Sequence, residues 1–152
     1  MKLIVDTDVP NEIKMTREFD APRRLVMRAM TEPDLIMKWM GNSCSPIVSA
    51  EDDFRVGGSY KRVFRTPDGK QFAFTGVYQE ISDNRIVHTE RFDDSPDEAV
   101  ITTTFIEHAG KTTMVAVMRF SSQAVRDMVV ATGMEKGAAE SYDNLAKLVA
   151  NL

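Results

Sequence analysis

AVITTTFIEHAGKTTMVAVMRF, residues 99–120, is two strand-length runs joined at Ala109-Gly110. The runs, 99–108 and 112–120, are built from β-branched, aromatic and methionine residues, and the Ala-Gly pair is turn chemistry. Upstream the same grammar repeats at 46–54, 58–66, 71–81 and 85–92. The punctuation there is Gly57-Gly58, Pro67-Asp68-Gly69, Asp83-Asn84 and the acid-rich loop Asp93 to Glu98. Connections this short allow only antiparallel neighbours, because a parallel pair needs a long crossover. No βαβ alternation occurs, which argues against a Rossmann-type sheet. The centre of the chain is an antiparallel meander.

Outside the meander, residues 12–19 alternate, with Ile13, Met15 and Phe19 on one side and Lys14, Thr16 and Glu18 on the other. That period of two predicts a half-buried strand. Asp20-Ala21-Pro22 then reads as a cap and a first-turn proline for a short helix carrying Leu25, Val26, Ala29 and Met30. Thr31-Glu32-Pro33 restarts a second through Leu35, Ile36, Trp39 and Met40, stopped by Gly41. After the meander, Ser121-Ser122 caps a short helix through Val125, Met128 and Val129, with a break near Thr132-Gly133. The last helix carries an inner stripe of Met134, Ala138, Ser141, Leu145, Leu148 and Leu152, at helical spacing. The expectation is a single α+β domain spanning 1–152, with a core of about 12–150: a curved antiparallel sheet of about seven strands, two short helices and a long C-terminal helix.

Composition narrows the function. The 152 residues are 43% hydrophobic and 28% charged, with a net charge of −4, values of an ordinary globular chain. A mildly acidic chain without a basic block is a poor partner for nucleic acid or an anionic membrane. No apolar run reaches the length of a membrane span, and Asp6 interrupts the N-terminus before a signal-peptide core forms. One cysteine, Cys44, permits no intrachain disulfide, so a reducing, cytoplasmic setting is expected. Two histidines and one cysteine do not make a zinc-type ligand set, and neither a metal nor another cofactor is expected.

The candidate site follows from size. The leucine-rich C-terminal half of the last helix can seal a core, whereas Gly137, Ala138 and Ser141 in its first half are small. A helix and a sheet pack at about 10 Å, so small residues there leave a void unless large side chains fill it. One outcome is an apolar cavity between sheet and C-terminal helix, the usual form of a small-ligand site. The other is a solid interior with Trp39, Phe64 or Phe74 in the gap. Methionine supplies an adaptable apolar wall, Met27, Met30, Met37 and Met40 in the early helices and Met114, Met118 and Met134 later. His88 shares a strand face with Ile86, Glu90 and Phe92; a His two residues from a Glu suits acid–base chemistry, or simply cross-strand hydrogen bonding. Arg17 and Arg62 interrupt apolar faces. Each either holds an acidic head group at the cavity mouth or snorkels to water. Cys44 has no histidine partner in its loop, and Arg55-Val56-Gly57-Gly58 lacks the Walker lysine, so neither is read as a catalytic motif.

Seven phrases then carry a resemblance: TREFDAP (16–22), TEPDL (31–35), KW (38–39), RVGGSY (55–60), FTGVY (74–78), HTERF (88–92) and GMEKG (133–137). In this order the chain resembles the START-like (SRPBCC) superfamily, and within it the bacterial branch similar to the activator of the heat-shock chaperone ATPase. The resemblance implies the helix-grip fold and, most often, a hydrophobic small molecule held under the C-terminal helix. Met40, Asn42 and Ala138 stand where the branch usually has an aromatic, a proline and a tryptophan, which implies a roomier pocket. The length leaves no room for the chaperone-binding domain that precedes this one in the eukaryotic activator.

Three functions are open at this point. A non-enzymatic carrier or sensor would line its cavity with Trp39, Tyr60, Phe64, Phe74, Tyr78, Met118, Met134 and Ala138, with His88 or Arg62 as polar anchor. A cyclase-, dehydratase- or hydrolase-type enzyme would use His88 and Glu90 as acid and base, with Tyr78 or Arg62 polarising a carbonyl. A stress-response interaction module would contact a chaperone, or a second copy of the chain, through its surface.

Overall fold

The computed structural model describes residues 2–152. Its strands are β1 (Ile4–Asp6), β2 (Glu12–Phe19), β3 (Ile47–Asp52), β4 (Ser59–Arg65), β5 (Gln71–Ile81), β6 (Arg85–Phe92), β7 (Ala99–His108) and β8 (Lys111–Arg119). Its helices are α1 (Arg23–Thr31), α2 (Pro33–Trp39), α3 (Gln123–Ala131) and α4 (Met134–Val149). One antiparallel sheet of eight strands runs in the order β1-β2-β8-β7-β6-β5-β4-β3. The expected count of seven is therefore one short. β1 has only three residues, too few for a periodic signal, and it exists because Ile4–Asp6 pairs with Lys14–Thr16 of β2.

β2 and β3 lie far apart in the sheet although they are adjacent in sequence. The chain crosses between them through α1 and α2, and the meander from β3 to β8 brings it back beside β2. Helix signals act mostly where the sequence places them. Pro33 opens α2, Gly41 follows its end at φ +97°, and the Ser122 hydroxyl accepts the Val125 N–H at 3.2 Å. Asp20 does not cap α1. Pro22 occupies the cap position without a side-chain acceptor, and the Arg23 N–H is taken instead by the Glu107 carboxylate of β7 at 2.8 Å.

Register fixes the inner face. Ile13, Met15, Arg17 and Phe19 of β2 stand opposite Met118, Ala116, Met114 and Thr112 of β8, which in turn face Ile101, Thr103, Phe105 and Glu107 of β7. His88 and Glu90 of β6 face Ile101 and Ala99. On the far flank Tyr78 faces His88, Phe74 faces both Phe92 and Arg62, and Phe64 faces Phe72. A bulge between Tyr78 and Glu80 resets the alternation of β5, so Tyr78 and Ile81, three apart, both turn inward against the core.

α4 closes the grip by packing on β2, α1 and α2. Leu145 and Val149 are its most buried residues at 0% and 2% exposure, each contributing about 1.5–3 kcal/mol of burial. The inward stripe is Met134, Ala138, Tyr142, Leu145 and Val149. Leu148 also packs against the core as expected, whereas the expected stripe passes through Ser141 where the inward residue is Tyr142, omits Val149, and includes Leu152, which lies past the helix end, 45% exposed. Real helices advance 3.6 residues per turn, and the amphipathic tyrosine hid the inward position. No helix among the described residues is long and apolar enough to cross a membrane.

Candidate functional site

Seven of the predicted site residues, Tyr60, Arg62, Phe64, Phe74, Tyr78, His88 and Glu90, share the inner face of β4, β5 and β6. They do not all face open space. Trp39, Tyr60, Arg62, Phe64, Tyr78 and Met118 are buried, whereas Phe74, His88, Glu90, Met134 and Ala138 are half-buried. Trp39 is not a cavity liner. Its ring stacks on Tyr142 at 5.9 Å and its indole N–H donates to the Ala29 carbonyl at 2.7 Å, so it pins α2 to α1. Together Trp39 and Tyr142 fill much of the gap that the small residues of α4 leave. Beyond them, toward β5–β6, the inner face carries the half-buried Phe74, His88 and Glu90.

This stretch of the inner face is polar. The Thr89 carbonyl accepts the Tyr60 O–H at 2.6 Å and stands 3.0 Å from His88 Nδ1, which also lies 2.9 Å from the Tyr60 oxygen. A carbonyl only accepts, so Nδ1 carries the hydrogen and Nε2 is left as an acceptor. Burial, and secondarily Arg62, hold His88 below the usual imidazole pKa. Glu90 has the smallest possible neighbours: Ala99 opposite on β7, and Gly76 in the matching position of β5. Its carboxyl is pushed up to about 7 by burial, against a weaker opposing pull from Arg62. Among the described residues, the one sealed side-chain polar atom without a partner is Asp52 Oδ1. The Glu90 carboxylate oxygens, His88 Nε2 and the Tyr142 hydroxyl make no hydrogen bond, and none of them is fully sealed from water. Burial, with a smaller push from the Glu90 charge, raises the Tyr142 hydroxyl to about 12.

Aromatic rings form the outer wall. Phe64 stacks on Phe72 at 5.4 Å, and Phe74 meets Phe92 at 5.4 Å and Phe64 at 5.9 Å. This quartet lies outside the main core cluster, and Phe92 is 49% exposed. The first half of α4 is tied to the same end of the sheet. Ser141 donates to the Gly41 carbonyl at 2.5 Å, Gly41 bridges to Pro46, and the Pro46 carbonyl accepts the Arg65 N–H at 3.0 Å.

Both arginines expected to hold a head group are already paired. Arg17 donates to Asp143 at 2.6 Å, and Arg62 donates to Asp52 at 2.5 Å and to the Glu51 carbonyl at 2.7 Å. Tyr78 donates to the same Asp52 oxygen at 2.7 Å. Neither Arg62 nor Tyr78 is therefore free to polarise a substrate carbonyl. Sequence reasoning missed Asp52, Gly76, Phe72 and Tyr142. The Phe72–Phe74 alternation and the Glu90–Phe92 spacing are visible in the sequence, but their alignment needs the strand register.

Gly76 is what lets Tyr60 lie across the sheet. A Cβ at this position would stand 1.9 Å from the Thr89 carbonyl oxygen and 2.5 Å from the Tyr60 ring. Gly76→Ala should cost about 1–3 kcal/mol in urea denaturation. An unchanged midpoint would show that the close approach is not structurally important.

The surface clefts lie elsewhere. One of about 780 Å³ sits between α1 and nearby loops, lined by residues including Arg24, Met27, Arg28, Phe54 and Asp83. Another of about 430 Å³ lies against the outer side of β4–β6, around Lys61, Thr75, Val77 and Arg91.

An antiparallel sheet gripping a C-terminal helix defines a helix-grip protein. The family described as activator of Hsp90 ATPase homolog 1-like protein matches residues 20–150, and the chain belongs to that family. Among solved structures it is similar to a protein from Chromobacterium violaceum, at 31% identity over 93% of this chain and 98% of that one, TM-score 0.78. A protein from Rhodobacter sphaeroides is 22% identical with both chains fully covered and a TM-score of 0.91. A family member from Aeromonas hydrophila is 20% identical over 90% and 92% of the two chains, TM-score 0.68. No curated protein matches the chain.

Proposed function

We propose that the protein binds a small hydrophobic molecule, without turning it over, in the groove between α4 and the β5–β6 flank of the sheet. The observation that carries this is the open, unpartnered floor of Glu90 and His88 Nε2 beside the Phe64–Phe72–Phe74–Phe92 wall. Water-accessible acceptors beside an apolar wall can be met by a ligand's polar end in place of water, and exposed aromatic surface is ordinarily covered. A ligand with an apolar body and a polar end satisfies both. Ala138→Trp, on the helix side of the groove, should fill it and weaken an environment-sensitive apolar dye by about ten-fold or more, while the thermal midpoint holds. Undiminished dye binding in the folded variant would refute the assignment.

A second reading, acid–base catalysis by the same two residues, is favoured by His88 Nε2 being a free acceptor two residues from Glu90. Turnover that disappears in His88→Ala while dye binding survives would select it.

A further inference from the structure

Resting on that reading, we infer that the groove selects a ligand with a positively charged, hydrogen-bond-donating nitrogen on an apolar, preferably aromatic, body. The charge balance of the inner face points this way. Its two cations are committed, Arg17 to Asp143 and Arg62 to Asp52 and the Glu51 carbonyl. Glu90 has no such partner, and its cross-strand neighbours Ala99 and Gly76 can supply none.

What remains on the floor is mainly acceptor: two carboxylate oxygens and His88 Nε2, with the Tyr142 hydroxyl able to act in either sense. Such a floor rewards an ammonium group and repels a carboxylate or phosphate. Phe92 stands two residues beyond Glu90 on the same face and Phe74 opposite Phe92. A nitrogen held at Glu90 therefore brings its own apolar body against rings that also attract cations through their faces. This reverses the sequence-based expectation of an acidic head group on an arginine.

Three matched probes test it by fluorescence titration at about pH 8, where Glu90 is ionised: naphthylmethylamine, naphthylmethanol and naphthoate. The amine should bind the wild-type protein about ten-fold or more tighter than the alcohol, with the carboxylate weakest. In Glu90→Gln the amine-to-alcohol ratio should collapse to about two-fold or less. An alcohol that binds as tightly as the amine, or a preference that survives Glu90→Gln, overturns the charge assignment and leaves the groove standing. Failure of all three probes to bind overturns the groove and this inference together.

Discussion

Asp52→Ala is expected to destabilise the protein by about 3–5 kcal/mol, the usual loss when one partner of a buried ion pair is removed. The Asp52 side chain is fully sealed and that of Arg62 is 7% exposed. Arg62 also lies 5.0 Å over the Tyr60 ring and keeps only the Glu51 carbonyl and the neighbouring Lys61 carbonyl when its charged partner goes. Tyr78 loses its acceptor in the same step. Urea denaturation at neutral pH measures the loss. The double variant Asp52→Leu, Arg62→Met should recover a large part of it, since paired apolar replacements of buried ion pairs are often neutral. A single-variant loss below about 1 kcal/mol would place the pair in the range of exposed bridges and contradict its burial.

Glu90→Gln should act in the opposite direction. The Glu90 pKa rises in the fold from 4.5 to about 7, so the native state favours the protonated form. That contribution is fully present below about pH 4.5 and is lost as pH climbs through about 7. The gap corresponds to about 3 kcal/mol at alkaline pH. Glutamine carries no such loss. The variant should match wild type near pH 4 and exceed it by up to about 3 kcal/mol near pH 8. His88, whose imidazole is held low, works with the opposite sign, losing stability as pH falls. Comparing the two proteins at each pH cancels it. Arg62, Tyr60 and Tyr142, the titratable groups whose charge couples to Glu90, are common to both proteins. A variant less stable than wild type at pH 8 would mean that the Glu90 charge has a partner and that the groove floor is closed.

These two effects also mark what can be read from the sequence. The six meander strands were legible because turn residues bracket each one, and Pro33, Gly41, Ser122 and Gly133 marked helix ends. The face of Phe64, Phe74, Tyr78 and His88 is not fixed by strand placement alone, since a one-residue slip moves all four to the other side; the pairing of β4, β5 and β6 settles it. Tyr142 was not legible: a tyrosine beside Ser141 on an amphipathic helix fits either side, and only its stack on Trp39 settles the choice. Asp52 read as one acid among Glu51, Asp52 and Asp53, and its burial depends on an arginine in the neighbouring strand. Gly76 looked like an ordinary strand glycine until the Tyr60 ring was seen to occupy its missing Cβ. Each failure concerns a contact between distant segments, on which local pattern carries no information.

The methionines offer the most direct measurement of the central claim. Methyl-labelled methionine spectra separate Met118 in the core and Met134 of α4 packed against it from Met27 in the α1 cleft and Met128, 70% exposed on α3. On titration with naphthylmethanol, the Met134 resonance should move most, with Met118 following and Met27 and Met128 still. Shifts confined to Met27 would move the binding site to the outer cleft, and a spectrum without change would remove the ligand from this protein.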